Sequence, residues 1–368
     1  MKRILALILA LTMMLTMAAC GGDTPPETTE TPITTAEPIT EPTTEPPTEP
    51  PTTVPETEPP VLYRNPLNGE PIEEPWTARP VAVTINNIRQ AMPQCGVENA
   101  DIVYEILAEG GITRCLAVFD DISGIDHIGA IRSARTYFVD LALGLDALYV
   151  HHGYSTYAED MLKSYSVNDL CPVRNRGSAA YYRDKSRLNS GYALEHTSFA
   201  DGDDLITEMV KRDYALSREE EISYGWTFVE DATPENGERA EMIVVNFRKG
   251  GKKTTLTYNG NTGLYEAAQY GSDYIDGNTG NTMAFKNIIV IKAKSWTDSE
   301  GYRQFVEMTD TEGEGFYACN GKIVPIQWSR GGYKEPFVYT LADGTPLELN
   351  VGSSYIAIIP TKSPVDYE

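Results

Sequence analysis

The chain has 368 residues, with 53 Asp and Glu side chains against 30 Lys and Arg, and its formal net charge is −23. The part from residue 61 onwards carries −16 of that charge, and its roughly 300 residues are enough for two ordinary domains. A body this acidic argues against nucleic acid as a partner, because phosphates require a basic patch, and against electrostatic docking on anionic lipid.

The first 20 residues have the order of a bacterial lipoprotein signal peptide. Two basic residues precede an apolar run over residues 4–17, and two alanines come directly before Cys20. This run is shorter than the roughly 20 residues that span a bilayer. We expect lipidation of the Cys20 thiol, which would anchor the protein on the extracytoplasmic face of the cell membrane. The alternative is an ordinary secretory signal with an incidental cysteine.

Residues 21–60 have the composition of a disordered stalk. Within them, residues 23–60 contain 13 Thr, 12 Pro and nine acidic residues, with no Lys or Arg. Such a segment has too few apolar side chains to offset the entropy of folding, and its prolines favour extended polyproline II. The sequence therefore predicts a spacer that lifts a folded body off the membrane, and a cell-wall polymer or an envelope protein is the candidate partner of that body.

Four cysteines follow Cys20, namely Cys95, Cys115, Cys171 and Cys319. Four cysteines allow three disulfide pairings, and the spacing selects none of them. No Cys-x-x-Cys pair is present, which argues against a zinc ribbon or a thioredoxin-like site. Because Cys115 lies within an apolar strand pattern, we expect it to be a buried free thiol.

Residues 61–220 alternate between strand and helix patterns. The strands are predicted at 79–85, 101–109, 112–119, 128–131 and 147–150, and the helices at 136–146, 155–163 and 203–212. Gly110-Gly111 predicts a tight turn between the second and third strands. The strand, helix and strand over residues 128–150 predict a compact parallel βαβ unit, so we expect an α/β domain with a mixed sheet.

After Trp226 the pattern predicts strands only. They are expected at 242–247, 254–258, 264–270, 287–292, 302–308, 315–319, 323–328, 337–339 and 355–359. Asn-Gly and Asp-Gly pairs between them are hairpin signals. Residues 221–368 are therefore predicted to form a β-rich antiparallel domain, joined to the first by an acidic linker over 217–225.

Polar side chains follow both strands of the predicted βαβ unit. Arg132, Ser133 and Arg135 come after the first strand, and His151 and His152 after the second. Since ligands of α/β sheets bind outside the carboxyl ends of the strands, we expect these side chains on one rim.

The predicted rim is basic, and two more arginines are expected to join it. Arg114 follows the Gly110-Gly111 turn, and Arg183 lies in a Tyr-Tyr-Arg-Asp segment whose polar and aromatic composition is typical of a sugar-binding edge and also of an ordinary surface loop. Arg135 in the first turn of a helix opposes the helix dipole, which favours a bound anion there. The alternative is an internal ion-pair network, with Glu105, Glu109, Asp120 or Asp121 as the anion.

Glu105, Glu109 and His152 are candidates for acid–base catalysis on a glycan. The two glutamates lie four residues apart on one strand, roughly 13 Å in backbone rise, which is too far for a retaining pair on a straight strand. No nucleophile elbow, zinc helix or phosphate-binding loop motif occurs in the sequence. We therefore expect neither a metal nor a cofactor, and leave open whether the protein is an enzyme.

Several segments resemble, in order, the signature segments of the YerB-like lipoprotein family. In the first half they are 101–105, 109–114, 132–135, 152–155 and 182–184, and in the second half 321–329 and 347–352. Ala130 and Thr136 stand where the family pattern has proline, and a Glu-His-Thr segment at His196 replaces one of His-Asn type. The resemblance implies a two-domain extracytoplasmic lipoprotein, and it implies no reaction.

Taken together, the sequence predicts an anchored protein that binds an anionic or saccharide envelope ligand or a protein partner. A second hypothesis is an envelope hydrolase acting on wall glycan or on a phosphodiester polymer. A third is a scaffold for wall-synthesis proteins without a small-molecule site.

Overall fold

The computed structural model describes residues 63–368. The signal peptide predicted to end at Cys20 and the stalk predicted at 21–60 lie outside the described residues. The helices of the described part are α1 (Thr136–Gly144), α2 (Thr156–Ser164), α3 (Lys185–Asn189) and α4 (Gly202–Lys211). None of the helices in this part is long and apolar enough to cross a membrane.

Strands make up most of the regular structure. Before residue 220 they are β1 (Tyr63–Arg64), β2 (Pro71–Ile72), β3 (Val81–Asn87), β4 (Ile102–Leu107), β5 (Thr113–Phe119), β6 (Ile128–Gly129), β7 (Leu148–Val150), β8 (Asp169–Leu170), β9 (Tyr181–Arg183) and β10 (Ser198–Ala200). After residue 220 they are β11 (Thr227–Val229), β12 (Glu238–Arg239), β13 (Met242–Asn246), β14 (Lys253–Asn259), β15 (Leu264–Gln269), β16 (Ser272–Asp273), β17 (Ala284–Phe285), β18 (Asn287–Ala293), β19 (Ser295–Thr297), β20 (Gln304–Val306), β21 (Thr311–Cys319), β22 (Lys322–Arg330), β23 (Val338–Leu341), β24 (Glu348–Asn350), β25 (Ser354–Pro360) and β26 (Val365–Tyr367).

An 11-stranded mixed sheet runs through the body in the order β12-β22-β21-β18-β25-β4-β5-β3-β7-β8, with β23 paired to β22. The strands before residue 220 form a mixed half, since β3 pairs antiparallel with β5 and parallel with β7. The strands after it are mostly antiparallel, and a six-stranded sheet of β13 to β17 and β26 packs with them. The predicted fold class is confirmed: an α/β first half with a mixed sheet, and a β-rich second half.

The βαβ unit of this sheet lies later in the chain than the sequence predicts. It consists of β7, α2 and β8, and β7 pairs parallel with β8. The predicted first strand, 128–131, leaves the large sheet: β6 pairs antiparallel with β10 in a small three-stranded sheet. Periodicity cannot tell which neighbour so short an apolar run will pair with, so its placement is decided by remote segments.

Both faces of the large sheet are buried, because side chains alternate between two cores. On β5, Cys115, Ala117 and Phe119 belong to the core that includes the six-stranded sheet. Their neighbours Leu116 and Val118 belong to the core on the opposite face, which includes α1.

The large sheet and both cores continue from the first half of the body to the second. The two halves meet where β4 pairs parallel with β25, from Ile102 opposite Ser354 to Ile106 opposite Ile358. The domain boundary near residue 220 stays a prediction.

The helices differ in whether a side-chain oxygen caps their N-terminus. Ser155 accepts a hydrogen bond from the Ala158 amide at the start of α2, and Asp201 accepts two at the start of α4. At the start of α1 the capping position is Arg135, which has no oxygen to offer and makes no side-chain cap. The first turn of α1 is therefore left electropositive beside the arginine.

Candidate functional site

The loop that precedes α1 and the loop that follows β7 lie side by side. The Arg132 amide donates to the carbonyl of Thr84 on β3 at 2.8 Å, and the His152 amide donates to the carbonyl of Arg132 at 2.9 Å. The Ser133 hydroxyl donates to the carbonyl of His152 at 3.0 Å. The structure thus brings Arg132, Ser133 and His152 together, as the rim hypothesis expects, although the strand before Arg132 belongs to another sheet.

Glu109 is the carboxylate at the centre of this region. Arg135 donates to both of its oxygens, from Nε at 2.5 Å and from Nη2 at 2.9 Å, and Arg114 Nη2 lies 3.6 Å away. Burial alone would raise the pKa of Glu109, but the hydrogen bonds and charge of Arg135 and the charge of Arg114 hold that pKa below its ordinary value. Glu109 is therefore ionised and shared between two arginines.

Arg114 is almost fully buried, with 5% of its side chain exposed. Its Nη1 donates to the carbonyl of Ser133 at 3.0 Å, whereas its buried Nε has no partner within residues 63–368. Burial, and then repulsion from Arg135, lower the pKa of Arg114 to about 10. The guanidinium stays charged at neutral pH and holds the Arg132–Arg135 loop against β5.

Arg132 differs from the other two arginines because no carboxylate pairs with it. Within the described part of the chain its guanidinium makes no hydrogen bond and no ion pair, and its Nε is buried without a partner. Burial lowers its pKa, and the charge of Glu195 opposes that change. Arg132 is thus a half-buried cation with unused donors.

His152 lies between Arg132 and Arg183. Its Nδ1 is 2.6 Å from the hydroxyl of Ser198 on β10, and its Nε2 is 3.4 Å from Nη2 of Arg183. A guanidinium nitrogen can only donate, so Nε2 is the acceptor and Nδ1 carries the proton. Burial and the charge of Arg183 lower the pKa of His152 to about 4, so the ring is neutral at pH 7.

Arg183 is the fourth arginine of the region, and we call the four together the arginine cluster: Arg114, Arg132, Arg135 and Arg183. Arg183 is placed by β9, and its Nη1 donates to the carbonyl of Leu194 at 2.7 Å. The cluster has Glu109 as its paired carboxylate, with exposed Glu195 in electrostatic reach of Arg132. It is an electropositive spot on an acidic body, which suits a carboxylate or phosphate group.

A cavity of about 860 Å³ opens beside Glu109. Arg248, Lys249 and Lys362 line it together with the Gly110-Gly111 turn. Gly111 has a φ of +74°, a backbone conformation in which any side chain would be strained, and Arg248 packs against it. The turn therefore requires glycine, and it lets a second set of cations approach the carboxylate of the cluster.

Besides Arg114, two more of the predicted site residues lie inside the protein. His151 is fully buried, with its Nδ1 2.7 Å from the carbonyl of Gly153 and its Nε2 3.2 Å from Asp169. Burial alone would lower its pKa, but the hydrogen bonds with Asp169 and Cys171 raise it to about 9. His151 lies behind the rim.

Glu105 is also fully buried, and its partner is Lys252 at 2.7 Å. Four further groups donate to its carboxylate, from Asn87, Thr113, Thr254 and Tyr355. Burial would raise the pKa of Glu105, but the charge of Lys252 and these hydrogen bonds lower it. Of the carboxylates named for the internal network, Glu109 alone pairs with the arginine cluster among the described residues, and Glu105 has Lys252 instead.

Three neighbours of the cluster were not found from the sequence. Ser198 holds His152, Glu195 faces Arg132, and Asn86 holds the Nδ1 of buried His196 at 2.9 Å. Ser198 lies on β10, a strand of three residues that is too short to show a period. No group of three or more His, Cys, Asp or Glu side chains between residues 63 and 368 is placed to hold a metal ion.

Comparison with known proteins gives matches in both halves. The family models for the protein of unknown function (DUF3048), N-terminal domain and C-terminal domain, match residues 67–215 and 243–356. The YerB protein of Bacillus subtilis (strain 168), named as a lipoprotein, is 29% identical over 296 residues, which are 80% of this chain and 86% of that protein. A crystal structure of YerB from Bacillus subtilis gives a TM-score of 0.70 at 27% identity and covers 83% of this chain and 99% of that chain. The resemblance inferred from the signature segments is confirmed.

Proposed function

The chain belongs to the two-domain DUF3048 family and is homologous to the lipoprotein YerB, and from this and the geometry of the arginine cluster we propose an anion-binding lipoprotein. It is anchored through lipid on Cys20 at the extracytoplasmic face of the cell membrane. The stalk at 21–60 carries the body outwards, and the arginine cluster binds a phosphate or carboxylate group of an envelope ligand.

The observation that carries this proposal is the guanidinium of Arg132, which has no hydrogen-bond or ion-pair partner among residues 63–368. Desolvating a charge without pairing it is costly, so a half-buried cation with unused donors is expected to have a function. A bound anion would supply the missing partner. Arginine can meet two oxygens of a carboxylate or phosphate at once, and the uncapped start of α1 adds positive potential at the same place.

The neighbouring groups support an anion better than they support hydrolysis. Three further cations line the cavity beside Glu109, so an extended anionic ligand would meet positive charge beyond Arg132. Glu105 makes five internal contacts, which leaves it no free lone pair to offer a substrate. Hydrolase chemistry at Glu109 and His152 stays a separate hypothesis.

The test is isothermal titration of the full chain carrying Cys20→Ser with short polyglycerol phosphate, and with chitotriose as a neutral saccharide. We expect the phosphate polymer to bind and the neutral saccharide not to bind. Arg132→Gln should weaken phosphate binding at least tenfold, with little change in melting temperature because no carboxylate loses its partner.

Two further variants separate binding from stability. Arg239→Gln is the matched control, because Arg239 is 72% exposed and lies outside the cluster. Arg135→Gln should lower the melting temperature, since it removes the bidentate partner of Glu109. The proposal is wrong if Arg132→Gln binds the polymer as wild type does, or if the wild type binds only the neutral saccharide.

A further inference from the structure

A second basic site lies on the other side of the buried His151. A cavity of about 600 Å³ is lined by five cationic side chains, and we call it the basic cavity. The five are Lys163, Arg174, Arg176, Lys211 and Arg212. They come from the ends of α2 and α4 and from the segment that follows β8, so the fold collects them from three separate parts of the chain.

The carboxylates around the basic cavity are fewer than its cations. Arg174 and Arg176 both donate to the same oxygen of Asp169, at 2.8 and 2.5 Å. Asp169 is fully buried and also holds His151. One carboxylate therefore serves two arginines and a histidine, and it leaves positive charge facing the cavity.

The two lysines are only loosely engaged. Lys163 pairs with Glu159 and Lys211 with Glu208, each at 2.8 Å, and the lysine side chains are 59% and 61% exposed. The two ammonium groups lie largely in solvent, although the carboxylate of Glu208 is only 11% exposed. Ion pairs within one helix stabilise a protein little, so both lysines can turn towards a ligand.

Arg212 has no carboxylate partner in the described part of the chain. Its Nη2 donates to the carbonyl of Asn175 at 2.6 Å, and its Nε is buried with no partner. Five cations thus face three carboxylates around one cavity, in a protein whose net charge is strongly negative.

Helix geometry accounts for only part of this arrangement. Lys163 and Lys211 lie in the last turns of α2 and α4, where the helix dipole favours a cation. That reason does not apply to Arg174 or Arg176, and it does not supply an anion for Arg212. It also does not explain why both helix ends face the same cavity.

We propose that the basic cavity binds a phosphate group carried by a small soluble ester or by a lipid headgroup. Cations that approach from several sides match the several oxygens of a phosphate better than the two oxygens of a carboxylate. Ser166, Asn168 and Tyr214 also line the cavity and provide neutral polar groups for the rest of the ligand.

The experiment uses the full chain with Cys20→Ser in two arms. Isothermal titration with inorganic pyrophosphate and with glycerol 3-phosphate tests a soluble source. Co-sedimentation with vesicles of phosphatidylglycerol, compared with vesicles of phosphatidylcholine, tests a lipid source. Binding in either arm is expected to weaken at least tenfold in Lys211→Gln/Arg212→Gln and to fall with added salt.

Three controls keep the result specific. Lys294→Gln, an exposed lysine paired with Glu307 outside the cavity, should bind as wild type. Arg132→Gln is introduced into every chain compared here, so that phosphate bound by the arginine cluster does not contribute to the signal. Lys163→Gln/Lys211→Gln leaves Arg212 and its hydrogen bond to Asn175 unchanged, so it gives the same test if the Arg212 variant folds poorly. The proposal is overturned if neither phosphate probe nor anionic vesicle binds, or if both double variants bind as wild type.

Discussion

Replacing Lys252 with methionine should strongly destabilise the protein, because it leaves the Glu105 carboxylate buried without its counter-ion. Lys252 is 2% exposed and Glu105 is fully buried, and their charged atoms are 2.7 Å apart. Removing one partner of such a pair typically costs about 3–5 kcal/mol. Four neutral donors still hold the carboxylate, so we expect the free energy of unfolding to fall by about 3 kcal/mol, the lower end of that range.

The stability deficit of the Lys252→Met variant should depend on pH, whereas a deficit caused only by lost packing should not. In the wild type the pKa of Glu105 is lowered, so its contribution to stability is present above the unfolded value of about 4.3 and is lost as pH falls through the lower folded value. In the Lys252→Met variant, burial has the larger effect on Glu105, and its pKa in the folded state rises above its pKa in the unfolded state. The stability of the variant should then fall as pH rises from about 4.3, so its deficit relative to wild type grows towards pH 7.

Urea unfolding between pH 4 and 8 measures both effects. Lys253→Met is the matched control, since the neighbouring lysine is exposed on β14, and it should change stability little. Glu105→Gln/Lys252→Met should recover part of the loss, because no charge remains buried. A Lys252→Met deficit no larger than that of the control, or one that shrinks as pH rises, would refute this account of the pair.

Three more predictions concern the chain outside this pair. Cys20→Ser should release the protein from membranes into the soluble fraction, and retention after a carbonate wash would contradict the lipid anchor. Trypsin should cut first in the exposed segment 218–221 and leave two resistant fragments. The fragments should stay associated in gel filtration, because they share a sheet. One resistant core across that segment would show that the domain boundary predicted near residue 220 is misplaced. The four buried free cysteines should react with a thiol reagent only after unfolding, and a reaction of the folded chain would show that a thiol is accessible.

Local patterns located the central strands well. The hairpin predicted over 101–119 is found as β4 and β5, paired antiparallel, and the predicted strand 355–359 is β25 within one residue at each end. These strands have continuous apolar patterns between clear turn signals, so their sequence alone determines them. The four cysteines, for which the spacing selected no pairing, are all free.

Contacts between remote segments could not be predicted in the same way. Glu105 pairs with Lys252 from a segment about 150 residues away, and the pairing of β4 with β25 joins strands about 250 residues apart. Alternation shows which face of a strand is buried, but it does not show which other strand lies beside it. For the same reason the sequence could not show that, in the part of the chain that the structure describes, Arg135 pairs with a carboxylate and Arg132 does not.

The position of β25 also affects when the protein can finish folding. This strand follows β4 by about 250 residues, yet it lies beside it in the middle of the large sheet, between β18 and β4. A growing or translocating chain is delivered from its N-terminus, so β4 keeps an open edge until the chain through residue 360 is present. Open edges recruit strands from other molecules. A chain that stops short of β25 is therefore expected to aggregate rather than to persist as a stable first half.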